Sequence, residues 1–230
     1  MTLLLDTARW LADGAHYQGS DAVQVRVLEH LALSGLAVLI GVAIALPIGL
    51  VLGHTGRLGF LAVNVANLGR ALPSLALLAF ALPLAFALGL GLGFWPTLFS
   101  LIPLALPPIL TNAWSGVRAV DRDVIAAARG MGLSEAQILR RIEVPLALPL
   151  ILAGMRTAAV NVVATATLGA LVAGGGLGRY IVDGLGLREY DRLFAGALLV
   201  AALAIAVEVI FATLERRATS PGLRAERAAL

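Results

Sequence analysis

The chain has 230 residues, of which 60% are hydrophobic and only 13% are charged, and its formal net charge is +3. Soluble domains carry about 25% charged residues and about 45–50% apolar ones, so this composition argues against an ordinary soluble protein. The sequence contains no cysteine, which excludes disulfides and thiolate metal sites.

Five apolar runs follow one another along the chain, each near the length of about 20 residues that a membrane-spanning helix needs. They occupy residues 31–53, 64–88, 97–118, 146–173 and 193–214. A glycine-rich break at residues 89–96 separates the second run from the third. The sequence therefore predicts an all-α polytopic membrane protein with five transmembrane helices.

The polar segments between the runs fix the rest of the organisation. Residues 1–30 are charged and lack the basic start and apolar centre of a signal peptide. They are expected to form an extracytoplasmic N-terminal segment, on the side that the arginines below predict. The transmembrane domain covers residues 31–215 and contains a cytoplasmic loop at 119–145. Residues 216–230 form a cytoplasmic tail.

Arginine placement predicts the orientation, because cytoplasmic loops are enriched in basic residues. Every basic residue other than histidine is Arg, and eleven of them share one side if the 119–145 loop is cytoplasmic, against five on the other. Arg70, inside the second run, counts on the cytoplasmic side. The expected arrangement has the N-terminus outside and the C-terminus in the cytoplasm.

The 119–145 loop predicts two short helices joined by a turn. Asp121 can cap the first helix, and Gly130 and Gly132 can end it, supplying the positive φ that a helix C-terminus often needs. Ser134 followed by Gln137 is a capping-box pattern, and Pro145 stops the second helix or starts the next. These observations alone leave two roles for the segment: a solvated loop, or an element that docks on a partner.

The same loop resembles the signature loop of ABC importer permeases, which reads Glu-Ala-Ala, three residues, Gly, nine residues, Ile-x-Leu-Pro. Gly132 stands at the Gly position, and Ile142 and Pro145 stand at the Ile and Pro positions. The Glu-Ala-Ala positions are held by Ala126, Ala127 and Ala128. The spacing matches throughout, while Ala126 replaces the family Glu and Val144 replaces the Leu. The resemblance implies that this loop contacts an ATPase.

Three further segments resemble glycine betaine, carnitine and choline permeases. They are residues 70–78, residues 148–158 and the glycine run of Gly174, Gly175, Gly176 and Gly178. Methionine-type permeases share the glycine run and match the first segment less well. The resemblance implies that the glycine run is an outer loop at the end of the solute pathway, near a docked binding protein.

Polar residues inside the spans are candidates for the solute pathway. Pro73 and Ser74 lie in the second predicted span, and Asn161 and Thr165 are four residues apart on one face of the fourth. Helix kinks and helix–helix hydrogen bonds are the alternative roles. His54 is expected to be a loop residue of no particular role, and Glu208 is expected to pair with an arginine.

The resemblance implies a complete importer around this chain, located in the inner membrane of a bacterial cell. Its partners would be an ABC ATPase dimer, an extracytoplasmic solute-binding protein, a second permease subunit (an identical copy or a homologue) and membrane lipid, with no nucleic acid. The chain itself is expected to have no catalytic, metal or cofactor site. The solute is expected to be a quaternary amine such as glycine betaine, choline or carnitine; the alternatives are a methionine or other amino-acid permease and, more remotely, a stand-alone secondary transporter.

Overall fold

A computed structural model describes residues 2–57, 59–60, 63–64 and 72–218, and all regular structure in these ranges is helical. Short 3₁₀ segments occupy Gly14–Tyr17 and Ala166–Val172, and a π-helical turn occupies Leu139–Glu143. The α-helices are α1 (Thr2–Ala12), α2 (Val23–Thr55), α3 (Ser74–Ala87), α4 (Phe94–Arg118), α5 (Arg122–Gly130), α6 (Glu135–Ile138), α7 (Val144–Thr165), α8 (Gly178–Leu187) and α9 (Tyr190–Ala218).

The predicted membrane-spanning fold is confirmed. By length and composition, α2, α4, the helical run through α7 and α9 can each cross a bilayer. The second predicted span is present as the 14-residue apolar helix α3; residues 65–71, including Arg70, lie outside the described residues. The described part of the C-terminal tail ends at residue 218, so Arg224 and Arg227 lie outside it as well.

Two helices, α2 and α8, differ from the prediction. Helix α2 begins at Val23 rather than at residue 31, because Arg26 and Glu29 pair with each other on its first turns and let the helix extend beyond its apolar part. Residues 178–187, which lie between the fourth and fifth predicted spans, form a further helix, α8, that the sequence did not predict. Its buried face, which includes Tyr180 and Gly184, packs against the start of α9.

Small residues allow α2 and α4 to pack very closely. A β-carbon placed on Gly41 would lie 2.7 Å from the β-carbon of Ala105, and one on Gly53 would lie 2.7 Å from that of Val117. Ala45 and Gly49 continue this stripe at intervals of four residues, and both are buried. Such small-residue stripes let helix backbones approach each other in a membrane, where packing replaces the hydrophobic effect.

These contacts also fix the direction of the helices. Residue numbers rise together along the α2–α4 contact, so the two helices run parallel, and the chain must cross back between them through α3. Along the α4–α7 contact the numbers run in opposite directions, since Gly116 meets Ala147 and Gly154 meets Asn112. The ends of α2 and α4 therefore lie on the same side as residues 121–145, and the start of α2 lies at the opposite end of the bundle.

Candidate coupling hairpin and solute pathway

Residues 121–145, called the hairpin below, form the helix–turn–helix that the sequence predicts. The Asp121 side chain accepts a hydrogen bond from the backbone N–H of Asp123 at 2.8 Å and caps α5. Gly132 has a φ of +84°, and its N–H donates to the Arg129 carbonyl at 2.9 Å. Gly130 is the last residue of the helix and is not in the positive-φ region. Only Gly132 therefore needs to be glycine for its backbone conformation.

The second half of the hairpin continues into a membrane helix. Ser134 and Gln137 form a complete capping box at the start of α6, with Gln137 Oε1 accepting from the Ser134 N–H at 2.8 Å. The π-helical turn then leads directly to Val144, and Pro145 lies in the first turn of α7. A short capped helix is thus joined to a spanning helix without a flexible linker.

The hairpin has its own apolar core and a separate exposed face. Ile125, Ala128 and Ile138 are buried, and Ile142 packs against them. The exposed face carries Val124, Ala126, Ala127 and Met131, of which Met131 is 73% exposed. The prediction grouped Ala128 with its two neighbours as a docking residue, but Ala128 points inward because helical periodicity places it on the same face as Ile125.

A chain of ionisable side chains, each within hydrogen-bonding distance of the next, connects the hairpin to the end of α2. His54 Nδ1 lies 2.6 Å from Glu143 Oε2, and His54 Nε2 lies 3.2 Å from Glu135 Oε2. Glu135 also accepts two hydrogen bonds from Arg129, at 2.8 and 3.0 Å; these bonds raise the pKa of the Arg129 guanidinium. Glu143 is buried, with its side chain 7% exposed. The expectation that His54 has no particular role is therefore wrong.

A cavity of about 330 Å³ lies between α4 and α7. Asn161 and Thr165 both line it, together with Thr157 one turn earlier. The opposite wall is formed by a proline-rich stretch of α4 that contains Pro103, Pro107 and Pro108. Because a proline has no backbone N–H, Pro103, Pro107 and Pro108 leave the carbonyls four residues earlier without their usual helical donors. Separately, Asn112 Nδ2 donates to the Pro108 carbonyl at 2.8 Å. We call this space the proline cavity.

The other two pathway candidates lie elsewhere. Pro73 precedes the first residue of α3, which is Ser74, and its carbonyl accepts hydrogen bonds from Ala76 and Leu77 at 2.8 and 3.1 Å. Its carbonyl is therefore part of the helix start rather than a free group at a kink. Neither Pro73 nor Ser74 lines the proline cavity.

Residues 173–178, called the glycine turn below, lie at the end of the bundle opposite the hairpin. Gly175 and Gly176 have φ values of +75° and +71°. Glu29 of α2 accepts a hydrogen bond from the Gly176 N–H at 2.8 Å, and a β-carbon on Gly175 would lie 2.7 Å from the same carboxylate oxygen. Gly178 opens helix α8, and its α-carbon packs against the backbone of Thr167.

Together these features describe a membrane transport subunit: crossing helices around a polar cavity, with a capped helical hairpin at one end. A family model described as "Binding-protein-dependent transport system inner membrane component" matches residues 37–220. The chain belongs to this family. It is a permease subunit of an ABC importer, and it is not itself the catalytic subunit.

Relatives from several bacteria match nearly the whole chain. The choline transport system permease protein OpuBB of Bacillus subtilis is 37% identical over 199 residues, which cover 86% of this chain and 89% of the relative. The carnitine transport permease protein OpuCB of Listeria monocytogenes is 38% identical over 203 residues, covering 88% and 91%. The osmoprotectant import permease protein OsmW of Salmonella typhimurium is 31% identical over 220 residues, covering 96% and 100%.

A solved structure shows the same fold. A chain of the MetNI methionine ABC transporter in an inward-facing conformation aligns with a TM-score of 0.75 at 24% identity, covering 86% of this chain and 97% of that one. At this identity the likeness establishes the architecture and carries no information on the solute.

Proposed function

We propose that this chain carries quaternary-ammonium osmoprotectants, such as glycine betaine, choline or carnitine, inward across the bacterial inner membrane. The observation that supports this most is the 37% and 38% identity to a choline permease and a carnitine permease over most of both chains. The methionine alternative has only a likeness of fold in its favour.

In this proposal the hairpin docks on a separate ATPase subunit. Its exposed apolar side chains, Val124 and Met131, have no partner within the described part of the chain, and an amphipathic helix with such a face suits a groove on another protein. The caps at Asp121 and Ser134 keep the hairpin rigid. Motion of the ATPase would therefore pass through the π-helical turn into α7 and through His54 into α2.

The solute would cross at the proline cavity, between this chain and a second permease subunit. Asn161 and Thr157 are exposed on the surface of the single chain, and polar groups facing hydrocarbon are costly because no water satisfies them. A second copy or a homologous chain facing α4 and α7 would cover them and complete the pathway. An extracytoplasmic binding protein would deliver the solute to the end that carries the glycine turn.

Uptake by the complete system tests the proposed solute. Cells that express this chain with its ATPase and binding protein are given labelled glycine betaine, choline, carnitine and methionine in turn. We expect energy-dependent accumulation of at least one quaternary amine, which unlabelled excess of the same amine abolishes, and no accumulation of methionine. Accumulation of methionine alone would overturn the assignment of the solute and leave the assignment to the permease family intact.

A further inference from the structure

The α4 wall of the proline cavity offers hydrogen-bond acceptors. Pro107 and Pro108 have no backbone N–H, so the carbonyls four residues earlier, on Pro103 and Leu104, lack their usual helical donors. Both of these residues line the cavity. The amide of Asn112, further along the same helix, donates to the Pro108 carbonyl and to neither of them. Two backbone carbonyls on this wall are therefore available to a solute.

The α7 wall offers hydrogen-bond donors. Asn161 and Thr165 both line the cavity, and within the described ranges neither the amide nor the hydroxyl has a hydrogen-bond partner. Thr157, on the same wall, differs from them because its hydroxyl already donates to the Ala153 carbonyl of its own helix at 3.0 Å. The donors that this wall can give to a solute are thus the Asn161 amide and the Thr165 hydroxyl.

Neither wall carries a charge. All of the described residues that line the cavity are uncharged. Arg156 directly precedes Thr157 along the chain, but its guanidinium lies against α9, 3.5 Å from Glu208 and 3.4 Å from Glu215. A charge that enters a space without a counter-charge loses hydration that nothing replaces. These walls therefore favour a polar solute that has no net charge.

A small zwitterion with a quaternary ammonium group matches both walls. Its ammonium group has no N–H, and its polarised methyl groups suit contact with carbonyl oxygens. Its carboxylate accepts hydrogen bonds from an amide and a hydroxyl. The cavity volume of about 330 Å³ falls in the range of about 300–1,000 Å³ that is typical of small-molecule sites.

We propose that the proline cavity selects zwitterionic quaternary amines, such as glycine betaine and carnitine, ahead of choline. The ammonium group faces the carbonyls of Pro103 and Leu104, and the carboxylate accepts from Asn161 and Thr165. The inference rests on the proposed function, which makes this cavity the crossing point and has a second permease subunit close its open side. It adds a selection step in the permease itself, because nothing in these walls balances the net positive charge of choline.

Equilibrium binding to the permease–ATPase complex in lipid nanodiscs, without binding protein, tests this selection. The labelled probe is glycine betaine. The unlabelled competitors are choline, which lacks the carboxylate, and tert-butylacetate, the carbon analogue of glycine betaine that lacks the positive charge. We expect saturable binding of glycine betaine, with each competitor about tenfold or more weaker than unlabelled glycine betaine, because a hydrogen bond to a charged group contributes about 1.5–3 kcal/mol.

Two variants test the α7 wall. Thr165→Val keeps the shape of the side chain and removes one donor, so it should weaken glycine betaine binding about tenfold or more and leave choline binding unchanged. Asn161→Asp gives the wall a negative charge and should make choline the stronger ligand. Thr167→Val is the matched control, because the Thr167 hydroxyl donates to the Ala164 carbonyl and Thr167 does not line the cavity.

The double variant Pro107→Ala/Pro108→Ala tests the α4 wall. It restores backbone donors to the two carbonyls, so it should weaken the binding of glycine betaine and of choline and leave that of tert-butylacetate unchanged. Alanine is the better helix former, so the variant should still fold. Co-purification of the ATPase with each variant shows that the complex is intact.

The outcomes separate this inference from the proposed function. Choline that competes as well as glycine betaine, or glycine betaine binding that Thr165→Val leaves unchanged, overturns the selection even if the complete system imports a quaternary amine. Absence of saturable binding to the wild-type complex overturns it as well. Binding that ranks the three compounds as expected and depends on Thr165 supports the inference even if the uptake assay finds no quaternary amine.

Discussion

The glycine turn shows why single residues matter at the end of the bundle opposite the hairpin. Gly175 and Gly176 combine a positive φ with a close approach to α2, where added β-carbons would lie 2.7 Å from Glu29 Oε2 and 3.0 Å from His30 Nδ1. A non-glycine residue in the left-handed region costs about 1–2 kcal/mol, and a β-branched side chain would also displace Glu29 from the Gly176 N–H.

We therefore expect Gly175→Val and Gly176→Val each to reduce uptake strongly while the protein still inserts into the membrane. Transport of labelled solute and the amount of permease in membrane fractions are measured together. Gly186→Val in α8 is the control, because a β-carbon there meets nothing within 4 Å and its φ is not positive. Normal uptake in both turn variants would make the glycine turn an ordinary loop.

At the scale of elements, the His54 network joins α2 to the hairpin. Removing one partner of a buried hydrogen bond costs about 1–3 kcal/mol when the other partner is left unsatisfied. His54→Ala leaves Glu143 in that state, so we expect the variant to hydrolyse more ATP for each solute molecule imported. The double variant His54→Ala/Glu143→Gln replaces the buried carboxylate by a neutral amide and should be more stable than His54→Ala alone.

The ratio of ATP hydrolysed to solute imported in proteoliposomes, together with thermal unfolding of the complex, checks this expectation. Thr55→Ala is the control on the neighbouring residue, whose hydroxyl bonds only to the Val51 carbonyl of its own helix. An unchanged ratio in His54→Ala would show that the contact between α2 and the hairpin does not transmit motion.

The elements also show what local sequence can and cannot predict. The caps at Asp121 and Ser134 and the turn at Gly132 depend on residues a few positions apart, so the hairpin was predictable. His54 and Glu143 are 89 residues apart, and no pattern along the chain relates them. Helix α8 was missed because its glycines favour a loop, whereas packing of its face against Gly196 stabilises it as a helix.

The proline cavity could be predicted only in part. The four-residue spacing of Asn161 and Thr165 placed them correctly on one helix face. The prolines of α4 face these two residues because α4 and α7 cross closely where Gly154 approaches Asn112. A single sequence does not reveal which helices cross in this way. Pro73 and Ser74 were grouped with them only because all four residues are polar or helix-breaking within apolar runs.

At the scale of the whole molecule, the helix directions make the orientation testable. The parallel α2 and α4 both end on the side of the hairpin, and the arginine bias predicts that this side is cytoplasmic. Topology reporters fused at Gly132 and at Gly186 should therefore report cytoplasmic and extracytoplasmic positions, respectively. The reverse result at either site would reject the five-span arrangement with the N-terminus outside.

The membrane-spanning architecture itself could be predicted from the sequence, because five apolar runs of this length are typical of helices that cross a bilayer. Its internal packing was not, since the stripe of Gly41, Ala45, Gly49 and Gly53 identifies a close contact only once its partner on α4 is known. The exposed face of the hairpin was predicted in part. Ala126 and Ala127 are exposed, while Met131, the most exposed apolar side chain there, was not singled out.

We propose that the hairpin couples this permease to an ATPase, and the variant Gly132→Asp is the sharpest test of that coupling. The substitution places a β-carbon at a φ of +84°, at a cost of about 1–2 kcal/mol, and adds a charge beside the exposed apolar face. The measurement is co-purification of the ATPase with the permease, followed by ATP-dependent uptake in proteoliposomes that contain binding protein. We expect Gly132→Asp to insert into the membrane and to pair with the second permease subunit as the wild type does, but to lose the ATPase and to import no solute. Full retention of the ATPase with wild-type uptake would contradict it.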